Sequence, residues 1–234
     1  MKKAAIMQPY FFPYIGYFQL MHAVDQFVVY DNIEYTKKGW INRNRILVNG
    51  EDAYITLPLK KDSDYLTVKE RFLADSWPAD RIKILNRIRE SYRKAPEFNV
   101  VFPFIEQCIL FEQTNLFNFI FNSLKVLQGI LNIDTQLKIA STIPVDHALK
   151  AEKKVIAINK VIEADEYINP IGGLALYSKE TFGKEGIRLQ FIKTGHVEYS
   201  QHIPNFLPNL SIIDVLMFNS PEKIKEMLNN FELI

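Results

Sequence analysis

One cysteine, Cys108, is all the thiol this chain carries, so no disulfide can form within it, which fits a reducing compartment. Histidine is scarce as well. His22, His147, His196 and His202 share no metal-ligand spacing with Cys108, and no zinc site is expected. Charge of one sign is not in excess: 28 Lys and Arg against 27 Asp and Glu leave a formal net charge of +1. That balance argues against a surface that coats nucleic acid, so any anion site must be local. Long apolar runs are missing too. The most apolar window, residues 117–131, is broken by Asn118, Asn122, Lys125 and Gln128, so no membrane insertion is expected. The run Ala4-Ala5-Ile6-Met7 is too short for a secretion signal and no small-residue cleavage site follows it; a soluble, cytoplasmic protein is expected. There is no internal repeat, no Gly/Ser linker, no Walker-type loop and no Gly-x-Ser-x-Gly elbow. The 234 residues are therefore expected to form one domain.

What is present in quantity is aromatic: 17 Phe and 11 Tyr, part of them gathered with polar residues near the N-terminus. The pattern there predicts a strand over 3–7, a helix over 15–23 and a strand over 26–30, which is a βαβ unit with a parallel pair. Residues 31–45 are polar, aromatic and basic and read as a loop. Two short strands at 46–48 and 54–57 turn at Asn49-Gly50, and 68–73 offers a third, which makes 46–73 an antiparallel insertion. Helical spacing over 78–93, 96–111 and 115–131 makes 78–131 a helical segment. Alternation then resumes: strand 136–140, helix 150–163, strand 166–169, helix 173–182, strand 188–192, and helices 210–218 and 221–230. The expected fold is α/β, with a mostly parallel, doubly wound sheet of nucleotidyltransferase-like (HUP or Rossmann-like) character.

Three constellations carry chemistry. The first is Gln8-Pro9-Tyr10-Phe11-Phe12-Pro13-Tyr14-Ile15-Gly16-Tyr17, which joins the first strand to the first helix. Ligands of open α/β sheets bind where strands end and helices begin, and a helix N-terminus favours phosphate. Tyr14-Ile15-Gly16-Tyr17 resembles the His-x-Gly-His signature of nucleotidyltransferases, with both histidines replaced. Tyrosine donates a hydrogen bond but is not cationic, which counts against adenylyl transfer by that route and less against nucleotide binding. Gln8, Tyr10, Pro13, Tyr14, Gly16 and Tyr17 are the candidates here; an aromatic loop that merely caps the sheet is the plainer alternative.

The second constellation is Asp31 to Arg45. Four cations, a tryptophan and two asparagines fall within residues 37–45, a composition suited to a diphosphate. Asp31, Lys38 and Arg43 are candidates for chemistry, and Tyr35, Trp40, Asn42, Asn44 and Arg45 for binding; a solvated basic loop is the alternative. The third is Asn169-Pro170-Ile171-Gly172-Gly173 with Tyr177, where Gly172 and Gly173 permit close approach of a ligand or simply a tight turn. Ser211 and Asp214 stand at capping-box spacing and read as structural.

Together with Asp25-Gln26-Phe27-Val28-Val29-Tyr30-Asp31, Trp40-Ile41-Asn42-Arg43-Asn44-Arg45 and Pro208-Asn209-Leu210-Ser211-Ile212-Ile213-Asp214, these motifs resemble the WbqC-like family over nearly the whole chain. One departure is Glu34 before Tyr35, where glutamine is expected more often. The resemblance implies a place in bacterial O-antigen, capsule or other surface-polysaccharide synthesis. Three readings follow. One is an enzyme transferring an N-acyl or aminoacyl group to a nucleotide-linked amino sugar, with a nucleotide or acyl donor as co-substrate. Another is an ATP-binding adenylyl or nucleotidyl transferase. The third is a non-catalytic nucleotide-sugar-binding or scaffolding protein. A homodimer is left open, as no feature of the sequence sets the oligomeric state.

Overall fold

The computed structural model describes residues 1–234. Near-continuous apolar runs form the first two strands of the sheet, both faces of which are covered. Strand β1 (Lys3–Met7) pairs in parallel with β2 (Gln26–Val29), which pairs in parallel with β5 (Gln136–Ile139). On its other side β1 pairs in parallel with β6 (Glu166–Pro170), and β6 with β7 (Arg188–Thr194). The full order is β5-β2-β1-β6-β7-β8, and β8 (Phe231–Leu233) is the antiparallel edge strand. The order runs one way from β1 to β5 and the other way from β6 to β7. Between β1 and β6 the sheet therefore has a switch point, where a crevice opens at the carboxyl ends.

Alternate residues feed two layers. Ala5, Phe27, Val29 and Ile168 join a large core with α1 (Ile15–His22), and Ala4, Ile6, Val28 and Tyr167 join a smaller one with α5 (Ala151–Val161) and α6 (Lys179–Lys184). Seven of the eight residues of α1 are buried. It lies between the sheet and α8 (Pro221–Leu228), where Gln19 Nε2 donates to the carbonyls of Met227 (2.7 Å) and Asn230 (2.9 Å) and so closes that helix. The larger core also takes in α2 (Trp77–Tyr92), α3 (Phe98–Ile109), α4 (Leu116–Ile130) and α7 (Ile212–Phe218). No helix is long and apolar enough to cross a membrane.

The insertion departs from the sequence expectation at both ends. Its hairpin is β3 (Arg43–Val48) with β4 (Glu51–Thr56), so the strand begins within the stretch read as loop. Residues 68–73 are not a strand: Val68–Glu70 is a 3-10 turn, closed by a Glu70 carboxylate that accepts from Thr67 N at 2.9 Å. The helix expected over 173–182 is also shorter. A 3-10 turn occupies Ile171–Gly173, and α6 starts only at Lys179, where Ser178 Oγ accepts from Thr181 N (3.3 Å). The capping box at α7 is half formed. Ser211 Oγ accepts from Ile213 N (3.3 Å), but the Asp214 carboxylate turns instead to Tyr92, Tyr199 and Gln201.

Candidate ligand-binding site

The β1–α1 loop is strained and clamped. Phe12, a bulky residue, sits at φ +44° and is fully buried; such a conformation costs about 1–3 kcal/mol and persists only where its surroundings enforce it. Asn44, the second residue of β3, supplies much of that enforcement. Its Nδ2 donates to the carbonyls of Phe11 (3.1 Å) and Phe12 (2.7 Å), while its Oδ1 accepts from Arg45 N (2.8 Å). Ser211 Oγ donates to the same Phe12 carbonyl (2.9 Å), and Ile212 N donates to Pro13 O (2.9 Å). Two remote segments thus fix the loop that leads into α1. Asn44→Ala leaves these carbonyls without their amide donor and is expected to cost about 2–4 kcal/mol. Urea unfolding checks this, and a loss below about 1 kcal/mol would show that the clamp lies elsewhere.

Over this loop lies a cavity of about 510 Å³, a size suited to a small organic ligand. Its walls are Met7 at the end of β1, Tyr10, Tyr14 and Gly16 from the loop and α1, and Pro170, Ile171 and Gly172 at the end of β6. Ile192 and Thr194 of β7, Trp40, Asn44 and Arg45, and Asn209 complete it. It therefore sits at the switch point. Tyr14 precedes α1 in extended conformation and offers no side-chain cap, and the first turn holds no acidic residue. The amides of Ile15 and Gly16 find no acceptor within the protein. A Cβ on Gly16 would meet Thr194 Oγ1 at 2.8 Å and run into the Tyr14 ring, so glycine keeps the cavity open there.

Arg45 is the one charged side chain of this lining. It is half-buried, bonded to Asp52 Oδ2 at 3.2 Å, with its guanidinium 5.6 Å from the Trp40 ring centre. Its Nε is buried and has no partner. Trp40 in turn stacks on Tyr54, with centroids 6.3 Å apart and planes 24° from parallel. Burial pushes the Tyr10 and Tyr14 phenols above their ordinary range, so both stay neutral at physiological pH and act as donors and apolar faces. The arrangement provides a flat aromatic surface, one cation and a free helix terminus, the components that hold a planar ring and a phosphate.

Of the residues nominated from sequence, Tyr10, Tyr14, Gly16, Trp40, Asn44, Arg45 and Gly172 line this cavity, and the others do not. Tyr17 is buried and its hydroxyl donates to the Gln8 backbone carbonyl (3.0 Å). Pro13 is buried. Tyr35 Oη donates to Asn42 Oδ1 (2.8 Å), and Asn42 Nδ2 to Leu57 O (2.9 Å), so this pair ties the insertion together. Arg43 points back onto its own loop, donating to Lys38 O (2.7 Å) and Gly39 O (3.2 Å). Lys38 is exposed, and Asp31 is buried, accepting from Ser141 N (2.8 Å) and Ser141 Oγ (2.5 Å). Gly173 lies against the Asn169 amide, and Tyr177 packs edge-on against Tyr167 at 5.9 Å in the smaller core layer. Met7, Ile192 and Thr194 were missed, and Pro170, Ile171 and Asn209 were named only within motifs and not as site residues; all but Asn209 lie at or just beyond the carboxyl ends of neighbouring strands, a signal that needs the strand order to be read. No three His, Cys, Asp or Glu side chains gather to hold a metal ion.

Fold and site together define an α/β protein with a mostly parallel sheet and a small-molecule-sized cavity at its switch point. The chain belongs to the WbqC-like protein family, whose sequence model matches residues 8–226. It is 30% identical over 223 residues to "Uncharacterized protein Rv1507c" of Mycobacterium tuberculosis (strain ATCC 25618 / H37Rv), covering 94% of each chain. No solved structure matches it.

Proposed function

We propose that the cavity binds a nucleotide-linked amino sugar and that the protein transfers an N-acyl or aminoacyl group to it in bacterial surface-polysaccharide synthesis. The observation that carries the binding half is the meeting of Arg45, Trp40 and the uncapped α1 terminus in one cavity. The diphosphate would lie between Arg45 and the amides of Ile15 and Gly16, and a planar base or sugar ring against Trp40, Tyr10 or Tyr14. Gly172 would allow close approach from the β6 side. Arg43 is a positioning residue in this reading, since its two bonds hold the turn that presents Trp40. The strand order supports a nucleotidyltransferase-like, Rossmann-like ancestry for the sheet.

Adenylyl transfer through Tyr14-Ile15-Gly16-Tyr17 is the weaker reading, because the Tyr17 hydroxyl is spent on Gln8 O. Calorimetric titration with dTDP- and UDP-amino sugars tests the proposal. Saturable binding by at least one at micromolar to millimolar concentration is expected, and no heat with any of them up to about 5 mM would defeat it.

A further inference from the structure

A second cleft, of about 670 Å³, opens on the far side of the α1 terminus. The two spaces share Thr194 and Asn209 as a common wall, and successive residues of α1 divide them, Gly16 lining the cavity and Ile15 the cleft. The segment after β7 builds much of the second space, and it is anchored at both ends. Gly195 N donates to Asn230 O (2.9 Å), and Asn230 Nδ2 donates to His196 O (2.7 Å). At the other end Tyr199 Oη donates to Asp214 Oδ2 (2.7 Å), and the Tyr199 ring meets Phe206 edge-on at 5.1 Å. Between the anchors, the Glu198 carboxylate lies 2.9 Å from His196 Nε2.

The two spaces are opposite in charge. The cavity is lined by one cation, Arg45, and no carboxylate; the cleft is lined by one carboxylate, Glu198, and no Lys or Arg. The cleft also offers two aromatic rings, Tyr199 and Phe206. A carboxylate beside aromatic faces selects an ammonium group and repels phosphate. His196 is exposed, so its contact with Glu198 is a weak one that an incoming cation can replace.

We propose that this cleft is a second ligand site, for a molecule bearing a primary ammonium group held at Glu198. The rest of that molecule would reach the shared wall at Thr194 and Asn209, beside whatever fills the first cavity. Two ligands held across one wall is the geometry by which a protein turns a bimolecular encounter into a local one. Glu198, Tyr199 and Phe206 belong to the cleft alone, so an ammonium ligand there does not depend on a nucleotide sugar in the cavity.

The test uses the whole chain and two probes, glycinamide for the cleft and a UDP-amino sugar for the cavity, each followed by NMR shift changes and calorimetry. Glycinamide is expected to bind on the order of millimolar, and N-acetylglycinamide, which lacks the charge, is not. Glu198→Gln should weaken glycinamide roughly three- to fivefold, the scale of a partly exposed ion pair, and leave the UDP-amino sugar unchanged. Arg45→Met should weaken the UDP-amino sugar, by the larger factor of roughly 10- to 100-fold, and leave glycinamide unchanged. Equal binding of glycinamide and its acetylated form, or indifference to Glu198→Gln, overturns the site. If the UDP-amino sugar fails while glycinamide binds selectively, the cleft stands and the nucleotide-sugar reading falls.

Discussion

Arg45→Met should weaken binding of a dTDP- or UDP-amino sugar by roughly 10- to 100-fold, the loss that follows from removing charged hydrogen bonds to a phosphate. Arg45 is the only full charge in the cavity lining, and its buried Nε has no acceptor in the protein. Methionine keeps much of the aliphatic stem, so Trp40 retains its neighbour and the change isolates the guanidinium. Stability should move little. The bond to Asp52 is a partly exposed ion pair, 28% and 42% accessible at its two side chains, and such pairs are worth about 0–1 kcal/mol. Calorimetry at two salt concentrations measures the effect. The wild-type affinity should fall with added salt more steeply than that of the variant, since screening acts on the charge that was removed. Unchanged affinity in Arg45→Met would place the anion elsewhere.

The choice of Arg45 over Arg43 shows where sequence reading runs out. Asn42-Arg43-Asn44-Arg45 was legible as an amide–guanidinium alternation beside a tryptophan, but not as the start of a strand. Once β3 is seen to begin at Arg43, the two arginines must share a face, and Asn42 and Asn44 turn inward to bond Leu57 O, Phe11 O and Phe12 O. The β-propensity of asparagine is poor, so no local rule predicts a strand there; tertiary carbonyls in need of donors make it one. Register along the strand does not decide between the arginines either. Arg43 spends its guanidinium on the Lys38 and Gly39 carbonyls, a choice made by the loop's own curvature. By contrast β1, α1 and β2 were readable, because each buries enough of itself for apolar pattern alone to decide. The edge strand β8 was not: three residues, Phe-Glu-Leu, carry too little pattern, and only pairing with Ile192, Lys193 and Thr194 defines them.

Asp214→Ala should cost about 3–5 kcal/mol of stability, as expected when one member of a buried, hydrogen-bonded polar cluster is deleted. The residue is fully buried and accepts from Tyr92 Oη (2.9 Å), Tyr199 Oη (2.7 Å) and Gln201 Nε2 (2.7 Å). Tyr92 Oη also accepts from Leu47 N (2.9 Å), so one carboxylate joins α2, β3, α7 and the segment that lines the second cleft. Asp214→Asn keeps the volume but points an N–H₂ at a set of donors, and should lose less, about 2 kcal/mol. The pH dependence separates the charge from the packing. Burial raises the Asp214 pKa above its ordinary value, and the three hydrogen bonds only partly oppose that rise. The folded state therefore holds its proton to higher pH than the unfolded state does. Its contribution to stability is fully present below the unfolded carboxylate value of about 4, and it is lost as pH rises through the higher folded value. Asp64, Glu70, Asp80 and Glu222 have lowered pKa values and the opposite sign, but wild type and Asp214→Asn share them, so they cancel in the difference. The stability gap between wild type and Asp214→Asn should thus narrow as pH is raised from about 4 toward neutrality. Urea unfolding of both proteins across that range gives the gap directly. A gap that stays constant or widens would mean that the proton on Asp214 does not distinguish the folded from the unfolded chain.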